Sequence, residues 1–162
     1  MDVKGLTSTA NCAKDPSKMT WQDAGMLVPH EPLRRMMLGM KLAKVDTIDK
    51  AKKFRKWYKL FMGLLHHHHD MEEQVFFPAF EAKGVKMPQI FYDDHKELLV
   101  MLDKVKTLSV QCCKDISHAK ALKVAVDDLI SHVLPHLEQE EDLFNGMLRD
   151  HMTREEHDRL VQ

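Results

Sequence analysis

The sequence predicts an all-α protein, an up-down-up-down four-helix bundle preceded by an extended or disordered arm. Three observations carry this. Leu, Met, Lys, Glu and Ala dominate while Gly and Pro number 6 each, so helix propensity is high along most of the chain. Apolar residues recur at helical spacing in four separate stretches. Short links joining those stretches make antiparallel neighbours the natural packing.

Residues 1–22 read as the arm: they are polar, rich in Ser, Thr, Lys and Asp, and contain Pro16. Trp21 and Met26 mark where packing begins. Because proline is tolerated in a first helical turn but not further in, Pro29 and Pro32 place the start of the first helix around His30. Leu33, Met36, Met37, Met40 and Leu42 form its apolar face. The second helix starts at Thr47 or Asp49, both acceptable caps, and runs to a stop near Gly84 with Phe54, Trp57, Tyr58, Phe61 and Leu65 at helical spacing. Pro88 opens the third, whose core positions are Ile90, Phe91, Leu98, Met101, Leu102, Val105 and Leu108. The fourth begins near Ser117, and Pro135 inside it predicts a kink just before His136. The bundle spans 23–152, and 153–162 form a tail of one or two further turns.

The net charge of -1 gives no electrostatic basis for binding nucleic acid or an anionic membrane. No stretch reaches the roughly 18 apolar residues of a membrane span. The N-terminus lacks the apolar core of a signal peptide. Cys12, Cys112 and Cys113 are an odd set with no zinc-site spacing, which fits a reducing compartment and a cytoplasmic location. No feature names a protein partner.

The distinctive stretch is LLHHHHDMEEQVFFPAF, from Leu64 to Phe80. Residues four apart on a helix share a face, so His68 and Glu72 can offer a nitrogen and an oxygen to one point. His136 and Glu140 repeat the spacing in HVLPHLEQEEDLF, and two matching half-sites are far harder to reach by chance than one. His30 and His95 fall on the other two helices. Imidazoles and carboxylates without thiolates fit iron, manganese or zinc. Four His and two Glu exceed the ligand set of a single tetrahedral zinc and suit a dinuclear centre with both glutamates bridging.

The order His, His-x-x-x-Glu, His, His-x-x-x-Glu, with HEPLRR around His30, HDMEEQVFFPAF after the third histidine of the run, DDHKELL around His95 and HLEQEEDLF from His136, resembles the hemerythrin-like (HHE cation-binding) family over roughly residues 25–150. That resemblance implies a four-helix bundle with a non-heme di-iron centre, oxo- or hydroxo-bridged, in which Glu72 and Glu140 bridge and His30, His68, His95 and His136 are terminal ligands. It implies that the protein binds, carries or senses O2 or a related small oxidant. The alternatives are an enzyme decomposing peroxide or nitric oxide and an iron-sensing regulatory module.

One departure stands out. Oxygen-carrying members have a further histidine one turn before the position of His95, and here that residue is Phe91. His69 is the first candidate to complete the ligand set, followed by Glu73 and His132. Phe91 and Phe61 are expected to limit water access. His66 and His67, turned about 200° and 100° from His68, are expected to face solvent. His132 is expected to support a ligand, and Glu73 and Glu141 to lie outside the ligand set. His118, His151 and His157 are expected at the surface.

Overall fold

The structure, a computed structural model, describes residue 17 and residues 19–161; Cys12 and most of the arm lie outside the described residues. Helix α1, Trp21–Leu42, begins earlier than the two prolines suggest. Thr20 and Asp23 form a reciprocal capping box: the Thr20 N–H donates to the Asp23 carboxylate at 2.9 Å, and the Asp23 N–H donates back to Thr20 Oγ1 at 3.3 Å. That cap starts the helix at Trp21 and makes the last residues of the expected arm helical. Pro29 and Pro32 therefore sit inside α1, each removing one intrahelical hydrogen bond. Burial of the face carrying Met26, Leu27, Leu33, Met37 and Met40 offsets that loss.

Helix α2, Ile48–Met71, is capped by the Thr47 side chain, as expected. It passes without a break into a π-helical turn, Glu72–Phe76, and then into a short helix α3, Phe77–Glu81. The π turn is absent from the sequence expectation. Helix α4, Gln89–Cys112, follows Pro88, and helix α5, Ala119–His151, follows a 3-10 turn at Ile116–His118. Pro135 lies inside α5, which runs on through it. Helix α6, Arg154–Leu160, has its own capping box from Thr153 and Glu156.

Cross-helix pairs establish the topology. Trp57 Nε1 donates to the Met36 carbonyl, Tyr58 Oη to the Leu102 carbonyl at 2.6 Å, and Lys123 Nζ to the Lys41 carbonyl. His30 meets His68, Glu73 meets His95, Asp94 meets His136, Lys104 meets Asp128, and Glu141 meets His30. In each pair of neighbours the numbering rises on one helix as it falls on the other, so α1, α2, α4 and α5 run up, down, up and down.

The apolar interior is divided. One cluster holds Leu33, Met37, Phe54, Tyr58, Phe61, Leu65, Leu98, Leu102, Leu129 and Val133 among others. A second, at the other end, holds Met26, Phe77, Phe80, Met87, Phe91, Phe144, Leu148 and Met152. Helix α6 closes this end: the His157 ring lies 5.3 Å from that of Trp21 and 5.8 Å from that of Phe76. Its side chain is 12% exposed, so His157 packs on the bundle, contrary to the surface position expected of it. Gly25 permits the approach, because a Cβ there would stand 3.1 Å from His157 Nε2. Ile90, expected in the core, is 49% exposed, since Phe91 takes the inward position.

Gly84 ends the α3 turn with φ at 80°, the left-handed region that a Cβ disfavours. Replacing it with Ala is expected to destabilise the protein by about 1 kcal/mol, read as a lower urea midpoint at unchanged m-value.

Candidate metal centre

The two apolar clusters are separated by a layer of ionisable side chains. His30, His68, His69, Glu72, His95, His136 and Glu140 are all buried. Each follows from helical periodicity: His30 lies between Met26 and Leu33, His95 between Phe91 and Leu98, and His136 and Glu140 between Val133 and Phe144. The site is the continuation of the core stripe with polar residues substituted at one level.

The donor atoms fall into two groups. His30, His68, Glu72 and Glu140 form one, and His69, His95 and His136 form the other, the donors within each lying within 4.8 Å of one another. The glutamates reach across both. Glu72 turns Oε1 toward His68 Nε2 at 3.5 Å and Oε2 toward His95 Nε2 at 3.5 Å. Glu140 turns Oε2 toward His30 and His68 at 3.4 and 3.6 Å, and Oε1 toward His95 and His136 at 3.5 and 2.9 Å. One oxygen of each carboxylate thus faces each half.

Buried polar atoms almost always find partners. Here His69 Nε2, His95 Nε2 and all four carboxylate oxygens of Glu72 and Glu140 are buried with no hydrogen-bond partner. Each such atom costs about 1 to 3 kcal/mol. A convergent set of nitrogens and oxygens left this way fits divalent metal ions, which would be the missing partners.

Behind the donors lies a ring of carboxylates. His30 Nδ1 donates to Glu141 at 2.9 Å and His95 Nδ1 to Glu73 at 2.7 Å, while His136 Nδ1 stands 3.5 Å from Asp94. A proton held on Nδ1 leaves the Nε2 lone pair free to face the centre. Glu141 is itself held by Arg34, whose Nη1 donates to it at 2.6 Å from a fully buried side chain. Arg34 escaped the sequence reading, although it lies four residues after His30 on the same helix face. His132, expected to support a ligand, points instead to Glu97 at 4.0 Å and is 25% exposed. His67 is exposed and His66 half-buried, and neither joins the cluster.

His69 does join it. Its ring stacks on His95 at 4.0 Å and meets His136 edge-on at 5.5 Å. Phe91 occupies the position of the absent histidine and packs its ring 6.5 Å from that of His136. The halves therefore offer two and three imidazoles.

The charges follow from burial and neighbours. Burial raises the Glu72 carboxyl well above its usual range, and Glu140 adds to this. Burial opposes charge on Glu140 too, yet His136, His68 and His95 hold it well below that range. Against burial, Glu72 and Glu140 raise His68, and Glu140 and Asp94 raise His136. Burial lowers His30, and His68 adds to this against the hydrogen bond that His30 donates to Glu141. His69 is pushed down to about 2 by burial and then by His95 and His68, which keeps it a neutral donor.

The hemerythrin HHE cation-binding domain matches residues 25–161, nearly all of the described chain. The protein belongs to the hemerythrin family. No curated protein and no solved structure matches it. The family match and the His/Glu cluster together make this a cation-binding domain. None of the helices among the described residues is long and apolar enough to cross a membrane.

A cleft of about 1040 Å³ opens between α1, the π turn and α6. It reaches His68 and Glu72 but not His69, His95 or His136.

His69 supplies a pH test. Its folded pKa lies below its unfolded value near 6.5, so the unfolded chain binds more protons below that pH and stability falls as pH drops. In metal-free protein, His69→Gln is expected to lessen the loss of stability below pH 6.5 by up to about 1.4 kcal/mol per pH unit, measured by urea titration between pH 7 and 5.

Proposed function

We propose that the protein holds two iron ions between its paired half-sites and through them binds, carries or senses O2 or a related small oxidant. The observation that carries this reading is the split of Glu72 and Glu140, each carboxylate presenting one oxygen to each half. His30 and His68 would hold one ion, and His69, His95 and His136 the other, with both glutamates shared. Iron in such a donor set supplies a redox-active centre for oxygen and related small oxidants.

The chain's own residues do the rest. Glu141 and Glu73 orient His30 and His95 through their Nδ1 protons. Against burial, hydrogen bonds from His30 and Arg34 hold the Glu141 carboxyl below its usual range. Phe77, Phe91 and Phe144 exclude water from the three-histidine half, Phe77 lying 6.2 Å from the His95 ring. The two-histidine half has one imidazole fewer, and this is the half the cleft reaches. His69 thereby takes over, from the neighbouring helix, the role that Phe91 cannot fill. The unpaired Cys112 and Cys113 are consistent with a reducing compartment and a cytoplasmic location.

Metal analysis of the purified protein is expected to return two irons per chain; two manganese or zinc ions would keep the site and change the metal. Glu72→Ala or Glu140→Ala is expected to lose about one equivalent or the whole centre, and retention of two metals by both variants would overturn the assignment. His69→Ala is expected to alter the visible absorption of the iron-loaded protein, whereas an unaltered spectrum would remove His69 from the ligand set.

Charge-transfer bands that appear in air and vanish on deoxygenation identify reversible O2 binding. Bands that persist identify oxidation, and accompanying turnover of peroxide or nitric oxide identifies the enzyme. Protease resistance that depends on iron would support a sensor, a reading in keeping with the buried atoms that have no hydrogen-bond partner.

A further inference from the structure

The cleft beside the centre is far larger than a diatomic ligand requires. A water molecule occupies about 30 Å³ in the liquid, and a cleft of about 1040 Å³ is of the size that holds a drug-sized organic molecule. Its walls are apolar: Trp21, Val28, Leu64, Met71, Phe76 and Leu148 contribute to them from α1, α2, the π turn and α5. Methionine and aromatic side chains make such a wall adaptable to a range of shapes. The charges at its rim cancel, since Arg154 Nε stands 3.6 Å from Asp158 Oδ2. Two imidazoles stand at the rim, the exposed His67 and His157, which is wedged between Trp21 and Phe76. The inner end abuts His68 and Glu72, and both Glu72 oxygens are buried without a hydrogen-bond partner.

We propose that this cleft is a binding site for an uncharged, apolar organic molecule whose inner end lies against the His68 and Glu72 half of the centre. Apolar walls supply the binding energy in proportion to the area covered, and a neutral rim selects against ionic ligands. The contact with the centre rests on the metal reading above, whereas the cleft itself does not. If both stand, the bound molecule would lie against the metal-binding half formed by His68 and Glu72. The smaller number of imidazoles in that half leaves room for the approach.

The test uses N-phenyl-1-naphthylamine, an uncharged aromatic probe whose emission rises in apolar surroundings, with the full chain loaded with zinc or with iron. The zinc-loaded protein is expected to bind one probe per chain. Ala24→Trp, which fills the cleft from α1, and Val28→Trp, at a wall position 68% exposed, are each expected to weaken binding at least tenfold. 1-Decanol is expected to displace the probe. Iron in place of zinc is expected to quench the bound probe severalfold, because the inner end of the cleft adjoins the centre. Absence of probe binding in a protein that retains two metals would overturn the inference and leave the metal assignment intact. Unchanged binding by both tryptophan variants would also overturn it, and equal emission with zinc and iron would overturn the placement against His68 and Glu72. Probe binding that both tryptophan variants abolish, in a chain that takes up no metal, would support the cleft and overturn the metal assignment instead.

Discussion

Taking two glutamates and five histidines out of water strips each of its hydration, and little inside a helical bundle returns it except the groups themselves. Imidazoles can partly satisfy carboxylates, and the opposite shifts of Glu72 and Glu140 show how far that goes: one carboxylate keeps its charge among His136, His68 and His95, and the other is driven toward its neutral form. The bundle is arranged so that both glutamates present an oxygen to each half-site, where a bound cation would supply the compensating positive charge.

The positioning has a regular form. Glu141 on α5 holds His30 on α1, Glu73 on the π turn holds His95 on α4, and Asp94 on α4 faces His136 on α5. Three of the five imidazoles thus face a carboxylate from an adjacent helix, so the geometry of the layer and the packing of the helices constrain each other. The π turn at Glu72–Phe76 serves the same end. It places Glu72 and Glu73, neighbours in sequence, on opposite nitrogens of one ring: Glu72 Oε2 lies 3.5 Å from His95 Nε2 and Glu73 Oε1 lies 2.7 Å from Nδ1.

Much of this was legible in the chain. The paired His-x-x-x-Glu spacings place four donors on two helix faces, and the single histidines fall on the remaining helices at core positions. The order of helices followed from proline and capping residues, although α1 began at Trp21 because the Thr20–Asp23 box outweighed the signal of two prolines. What was not legible depends on relations between helices. Arg34 looks like an ordinary surface cation until Glu141, distant in sequence, is brought against it. His69 could be placed only once His95 and His136 were known to lie beside it. The cleft arises where α6 folds back on α1, an approach that depends on Gly25 and that no local pattern announces.

The layer of ionisable groups also has a mechanical consequence. It interrupts the apolar interior, leaving one compartment around Leu65, Leu98 and Leu129 and another around Phe77, Phe91 and Phe144. Side-chain packing is the usual carrier of cooperativity within a domain, and across this septum it is replaced by electrostatics. The two compartments are therefore joined by continuous helix backbones and by whatever binds the layer together. A cation bound across the layer is expected to couple the two ends so that the domain melts as a single unit.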